Sequence, residues 1–402
     1  MSLPSRGGPL EGVRVLELTK VWAGPYAGKL LAFLGAEVIK VESNLNLDEM
    51  RAYGGTDINH APYFLSLNPE VLSVQLNMKS EKGMEYLRRM IATSDIVINN
   101  LRPGAMERMG LDYEGMRAIK SDIISVSIKM YGTDGPLGYQ TGYAPCFAAL
   151  GGLSYLVGYE DGSPLGMNLR YGDSTVGANA AFAAIAALMH RERTGEGQFV
   201  DVSAVEGMAT MIGDSLLEYG LTGETPGPVG NRHGDMAPHG CYRCANDDWI
   251  SIAVASDEEW RALCTAMGQA GLADDPRFAT GEARQKQTAQ LDALLGEWVA
   301  GEDAETLAGR LRAAGVPAAK SQNSEELIGD PWLWDRGFYC FVSDHREGQR
   351  PMIGAPWRMS QTQATITRGA PDLGEHNSYV FCDLLGLSEQ ELQQLIDEGV
   401  VD

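Results

Sequence analysis

Three short stretches near the start of the chain restrict its fold more than anything after them. Residues 12–18 (GVRVLEL) alternate and read as a strand, residues 25–34 carry an apolar helical face, and residues 36–42 (AEVIKVE) read as a second strand. That succession is a β-α-β crossover, the unit from which parallel sheets are built. Residues 71–76, 95–99 and 123–129 supply further strands, with a helix over 81–92 between the first two. The fold class is therefore α/β, with a doubly wound, Rossmann-like layer in the N-terminal part. The turn after the first strand, TKVWAGPYAG, lacks both GxGxxG and the P-loop pattern, so a plain dinucleotide site is not supported. Gly24 and Pro25 start the helix there, and its N-terminus could still attract an anion.

At 402 residues the chain exceeds the usual single-domain size. Residues 220–240 are dense in Gly and Pro and read as a linker or a long loop. CYRCANDDWISIAVA then reads as a hairpin turning at 246–248, followed by helices within 258–314 and a short strand at 316–319. From about residue 331 the chain is irregular and strand-like, and it ends in a helix over 388–397 whose Ser388 and Glu391 have capping-box spacing. The organisation expected is a large domain over 1–222, a linker and small α+β domain over 223–330, and a last segment, 331–402.

The chemistry gathers in residues 168–208. One acidic residue, Asp173, precedes a run of Ala, Gly, Val, Ile, Leu and Phe over 174–188 that is apolar all round and so reads as a buried helix. Its small side chains let another backbone approach closely. HRERTGEG ends the helix, with Gly195 and Gly197 able to turn the chain, and QFVDVSAVE reads as a strand entering another helix. Asp173 has three readings: an N-cap satisfying helix N–H groups, a general base, or a nucleophile kept ionised by the helix N-terminus, whose N–H groups could also meet an oxyanion. The stretch by itself favours the cap.

Other motifs are weaker. Cys241 and Cys244, with His233 and His239 upstream, form a single CxxC with no second pair, which does not make a zinc site. Arg102 and Arg108 follow a strand end, where α/β sheets bind ligands, and are candidate phosphate partners, although a solvated surface pair is the plainer reading. A net charge of −22 argues against nucleic acid and requires that any anionic ligand be met by a local cluster of cations. Six scattered cysteines suggest free thiols in a reducing, cytoplasmic setting. The first residues, MSLPSRGG, have no apolar core of a secretory signal, and no stretch is apolar enough to span a bilayer.

Taken together the motifs resemble family III CoA-transferases, the group of formyl-CoA:oxalate and carnitine CoA-transferases. They are PLEGVRVLEL, VWAGPYAGKLLAFLGAEVIKVE, LNMKSEKG, SDIVINNLRPGAMERMGLDY, SVSIKMYG, GDSTVG with its Ala-rich helix, RTGEGQFVDVS, GNRH, APDLGEH and LLGLSEQE, in the family's order over nearly the whole chain. The resemblance implies that Asp173 is a nucleophile. It would attack an acyl-CoA to give a mixed anhydride, take CoA as an aspartyl-CoA thioester, and pass it to an acceptor acid through a second anhydride. No permanently bound cofactor and no metal is implied; CoA and acyl-CoA are substrates. The resemblance assigns CoA contact to Trp22 and Ala23, to Leu76, Asn77, Met78 and Lys79, to Asn100, Leu101, Arg102 and Arg108, and to Thr141, Gly142 and Tyr143. It also implies a Rossmann-like large domain built from both chain ends, a small domain between them, and two subunits interlocked as linked rings.

The chain departs from oxalate-using members of the family. Trp22 stands for a Gln, Ala144 for a Glu, Ser43 for a CoA-binding Arg, and GNRHGDMAPHG for a poly-Gly loop. The expectation is a more apolar pocket suited to a larger or less charged acyl group than formyl or oxalyl. Two other functions compete. The α-methylacyl-CoA racemases share the fold but use a His in a GHD-type motif, where this chain reads TGYAPCFAALGG. A non-catalytic acyl-CoA sensor would need no nucleophile, and a Ser or Asn would serve as its cap.

Overall fold

The computed structural model describes residues 4–160, 162–166, 170–344 and 348–402. Met1–Leu3 of the N-terminal arm and Asn168 and Leu169 of the small-residue stretch lie outside the described residues. The chain forms two compact units. The first takes the chain up to Ser154, the segment ending at Glu224, and Pro331–Asp402; the second takes Tyr155–Gly166 and Thr225–Asp330. Residues 155–166, expected in the first segment of the large domain, cluster instead with the second unit. Local bonds explain this: Gly230 donates its N–H to the Gly158 carbonyl at 2.9 Å, and Arg232 pairs with Glu160.

In the first unit six strands form one parallel sheet in the order β3-β2-β1-β4-β5-β6. They are β1 (Arg14–Leu18), β2 (Glu37–Glu42), β3 (Leu72–Gln75), β4 (Ile96–Asn99), β5 (Ile124–Lys129) and β6 (Phe199–Ser203). This is a mixed α/β fold, with the strand order of a doubly wound sheet. Both faces are covered, which is why the strands read as nearly unbroken apolar runs. Val15, Val38, Ile96 and Ile98 point into one core and Leu16, Ile39, Val41 and Val97 into the other, as alternation along a strand requires.

Four helices matter for the site: α1 (Ala23–Phe33), α2 (Glu81–Ala92), α3 (Ala144–Leu150) and α4 (Tyr171–Thr194). The α2 N-terminus is capped by Ser80, whose hydroxyl accepts from Gly83 at 3.0 Å. Helix α4 lies against α1 where Gly177 meets Ala23; a Cβ at Gly177 would come within 2.5 Å of the Ala23 carbonyl oxygen. That contact uses the small residues as anticipated. The expectation of a helix buried all round is corrected. Val176, Ala180, Ala184, Ala187 and Leu188 face the core, while Phe182 is 75% exposed and Met189 52% exposed. A helix laid on one face of a sheet buries only the stripe that touches it.

The chain's last segment closes the β3 edge of the sheet. Ser73 donates its N–H to His376 Nδ1 at 3.2 Å and its carbonyl accepts from the His376 N–H at 3.0 Å. The Gln75 N–H reaches Asn377 Oδ1 at 2.8 Å. The APDLGEH motif thus satisfies an edge that would otherwise present open backbone groups. Beyond it, helix Glu389–Asp397 carries the anticipated capping box between Ser388 and Glu391.

The second unit has a three-stranded antiparallel sheet, His239–Arg243, Trp249–Ala253 and Ala318–Lys320, packed with helices around Trp260, Leu291, Leu295 and Leu311. Its hairpin turns through Asn246 and Asp247, both with positive φ, which Asn and Asp tolerate. Cys244 is buried in this core and Cys241 half-buried beside Ser321.

Candidate active site

In a sheet of this order the strand sequence reverses between β1 and β4, and the segments leaving those two strands part to leave a crevice. A cleft of about 930 Å³ lies there. Its walls come from Lys20–Ala23 after β1, Asn100–Arg102 after β4, Lys129 and Met130 at the end of β5, Gln140–Tyr143 before α3, and Asp173 and Val176 of α4. Asn100 ties the first two segments together: its Oδ1 accepts from the Lys20 N–H at 2.9 Å and its Nδ2 donates to the Lys20 carbonyl at 2.7 Å.

A buried ion network underlies the β1 turn. Lys40, on β2, places Nζ 2.8 Å from Glu17 Oε1, 3.0 Å from Asp48 Oδ2 and 3.0 Å from the Thr19 carbonyl. Burial works against the Lys40 charge, but Glu17, Asp48 and Glu42 outweigh it and hold the ammonium above its ordinary pKa. Asp48 Oδ1 in turn accepts the Val21 N–H at 2.9 Å. Val21 has φ of +68°, a rare conformation for a β-branched residue. Such strain persists only where the surroundings over-determine it. The network therefore fixes the peptide that presents Trp22.

Asp173 is the third residue of α4, and Arg170 occupies the cap position without a side-chain cap bond. The cap reading is thus corrected: among the described residues no hydrogen bond engages the Asp173 carboxylate. Burial pushes the Asp173 carboxyl up to about 6, with Arg170 opposing. Removing water costs the charge more than Arg170 returns. At pH 7 a group with that pKa is still about nine-tenths ionised. An ionised, half-dry carboxylate without hydrogen bonds is a better nucleophile than a solvated one. Next to it, Trp22 donates Nε1–H to Ser174 Oγ at 3.1 Å.

Of the residues singled out in the sequence, Trp22, Ala23, Met78, Lys79, Asn100, Leu101, Arg102, Arg108, Thr141, Gly142, Tyr143 and Asp173 all line this cleft. Leu76 and Asn77 do not. Leu76 is fully buried in the core, and Asn77 donates its backbone N–H to the Val400 carbonyl and its side-chain amide to the Gly399 carbonyl. The strand ends one residue before Leu76, whose side chain still points inward; the chain reaches the cleft only at Met78. Lys79, Arg102 and Arg108 have no carboxylate partner among the described residues. Three residues escaped the sequence reading. Lys129 donates to Asn99 Oδ1 and the Leu101 carbonyl at 3.0 and 2.6 Å, and burial draws its ammonium down to about 8. Lys20 lines the cleft with its ammonium on Asn46 and the Leu47 carbonyl. Arg170 stacks on Trp22 and Tyr63. Only Lys129 carried a signal, as a cation closing an apolar strand.

Residues 10–377 match the sequence profile of CoA-transferase family III. This chain belongs to CoA-transferase family III. It is similar to the succinyl-CoA–D-citramalate CoA-transferase of Chloroflexus aurantiacus, with 34% identity over 98% of both chains. It is also 34% identical to the formyl-CoA:oxalate CoA-transferase of Streptomyces avermitilis over 98% of this chain and 99% of that one. Among solved structures, a CAIB/BAIF family protein from Brucella suis matches with a TM-score of 0.87 and 32% identity, covering 94% of this chain and all of that one. As a family III enzyme it works on CoA thioesters and carboxylic acids. No histidine lines the cleft among the described residues, and His190 sits near the far end of α4. Among the described residues no cluster of His, Cys, Asp and Glu could hold a metal, and no helix is long and apolar enough to cross a membrane.

Proposed function

We propose that this enzyme moves CoA between two carboxylic acids through covalent intermediates on Asp173. The carboxylate attacks the thioester carbonyl of the donor; the C–S bond breaks and CoA leaves as a thiolate, giving an aspartyl anhydride. The thiolate attacks the aspartyl carbonyl, expelling the donor acid and leaving aspartyl-CoA. The acceptor carboxylate then displaces CoA, and CoA reclaims the acyl group from the new anhydride. Donor, aspartyl-CoA and product are all thioesters, so the exchange as a whole is nearly balanced, and the anhydrides between them are the high-energy intermediates that split it into separate steps. The observation that carries this reading is Asp173 itself, half-buried, unpaired and at the wall of a cleft whose other side offers unpaired Lys79, Arg102 and Arg108 to CoA phosphates. The cleft residues named above are the proposed CoA contacts.

Hydroxylamine added during turnover should convert Asp173 to a hydroxamate and stop the enzyme, read by peptide mass spectrometry. Asp173→Asn should lower transfer by at least ~10³-fold while leaving CoA affinity within threefold. Transfer by that variant at a normal rate would refute the scheme.

Screening acyl-CoA donors against free acids, read by mass spectrometry, assigns the acids. The Chloroflexus relative is named for succinyl-CoA and D-citramalate and the Streptomyces one for oxalate, so dicarboxylic acids head the panel. The expectation of a less charged acyl group loses ground with Arg170 beside Trp22. The enzyme is proposed to act in the cytoplasm, in keeping with six free cysteines. It is also proposed to work as an interlocked homodimer, its large domain built from both chain ends. Helix Gly213–Thr222 buries none of its residues and exposes Leu216, Leu217, Tyr219 and Leu221, and α4 exposes Phe182, surfaces a second copy would cover. Light scattering at working concentration tests the dimer.

A further inference from the structure

Arg170 is exposed, yet its guanidinium is not loose. Its Cζ lies 4.5 Å from the centroid of the Tyr63 ring and 5.2 Å from that of Trp22. The two rings meet edge to face at 6.1 Å, and Tyr53 braces Tyr63 in the same way at 6.3 Å. Trp22 is itself fixed by its bond to Ser174 and by the strained Val21 before it. Stacking uses the faces of a guanidinium and leaves its edge of N–H donors open. Among the described residues no carboxylate and no carbonyl takes those donors. A cation held by aromatic faces and left without an acceptor, in a protein of net charge −22, is an arrangement for an incoming anion.

Its position limits which anion. Arg170 caps the helix on which Asp173 is the third residue, so the two stand on neighbouring positions, at a helical spacing of about 5–6 Å between Cβ atoms. Asp173 takes the carbonyl carbon of the acyl group, and Trp22, on which Arg170 stacks, lines the same cleft. The CoA-directed cations Lys79, Arg102 and Arg108 follow other elements. A group reaching Arg170 from Asp173 therefore belongs to the acyl chain.

We propose that Arg170, stacked on Trp22 and Tyr63, binds the second carboxylate of a dicarboxylic acyl group while its first carbonyl is at Asp173. This rests on the assignment of Asp173 as the nucleophile. Arg170 then sets specificity: the guanidinium edge meets the free carboxylate bidentately, and the aromatic pair keeps it aimed. Acyl groups with a methyl in place of that carboxylate leave the donors unpaired and forgo the bond.

The test compares succinyl-CoA with butyryl-CoA, which differs in lacking the terminal carboxylate. Hydroxamate formation at Asp173 reads the donor half-reaction alone, in the wild type and in Arg170→Gln and Arg170→Lys. The wild type should prefer succinyl-CoA by roughly 10- to 100-fold, the range of a hydrogen bond to a charged group. Measured at pH 8, above the range where Asp173 takes up its proton, Arg170→Gln should bring the two donors within about threefold by slowing succinyl-CoA far more than butyryl-CoA, and Arg170→Lys should restore part of the preference. Equal slowing of both donors would make Arg170 a support for Asp173 only and overturn the proposal, as would a wild type with no preference. A wild type that yields no hydroxamate from either donor strikes the Asp173 reading instead. Equilibrium binding of the two thioesters to wild type and Arg170→Gln then decides Arg170 by the same ratio.

Discussion

The first unit holds two sets of charges with opposite habits. Under the β1 turn every charge is sealed and answered: Lys40 by Glu17 and Asp48, Arg51 by Glu42 in a bidentate pair at 2.8 to 3.1 Å and by Asn59, with the Phe64 ring 3.6 Å from its guanidinium. Lys79, Arg102 and Arg108 on the cleft wall, and Arg170 stacked on Trp22, are exposed and have no carboxylate partner among the described residues. The protein has acid to spare, with 54 Asp and Glu against 32 Lys and Arg, so leaving these four unpaired is not a shortage of partners. Buried pairs contribute little net stability but fix geometry, because losing one member strands the other. Open cations contribute nothing to the fold and remain available to ligands.

That contrast can be broken most severely at Lys40. Lys40→Met strands Glu17 and Asp48 in the interior, and a broken buried pair costs about 3–5 kcal/mol. Urea unfolding should show that loss, and transfer should fall as well because the Thr19 carbonyl and the Asp48 hold on Val21 are released. A loss below about 1 kcal/mol would mean that water reaches the network and that the pairing is ordinary surface electrostatics.

Arg102→Ala tests the other side. Stability should stay within about 0.5 kcal/mol, as for a surface change, while CoA affinity falls by roughly ten- to hundredfold. The loss should shrink as salt is raised, since an exposed phosphate contact is screened. If Arg102→Ala unfolds more readily and binds CoA normally, its part is structural and the division between the two sets of charges fails.

The same contrast marks what could be read in advance. The strands and helices of the first unit stood out because apolar runs and their spacing are local properties, and the boundaries fell within two residues for β1, β2 and α1. Of the cleft segments, the one bearing Arg102 and Arg108 was legible because it leaves a strand end, and the others were named by the family resemblance. Pairing was not legible. In AEVIKVE the lysine looks like the wet side of an alternating strand, yet both faces of this sheet are covered, so Lys40 had to find its acids inside. Arg170 and Tyr63 are far apart in sequence, and only the fold stacks them. The burial of the Leu76 side chain was hidden for the same reason: one residue decides whether a strand end points into the core or out of it.

Asp173 belongs to neither set, and that makes the smallest and sharpest prediction. Its carboxyl titrates near 6 in the folded protein against about 3.9 in an unfolded chain, so the folded state holds the proton more tightly. The sign follows: between about pH 4 and 6 lowering the pH stabilises the fold, and above 6 the ionised, half-dry carboxylate is a standing cost. Asp173→Asn removes that cost. The variant should therefore be more stable than the wild type at pH 8, by about 1–2 kcal/mol, with the difference gone by pH 4. Hydroxamate formation should meanwhile fall about tenfold per pH unit below 6 in the wild type, as the nucleophile takes up its proton. Urea titrations of both proteins at the two pH values check the first point. Equal stability at pH 8 would show a well-solvated carboxylate, and the strain that sets Asp173 apart from the paired charges beneath it would be absent.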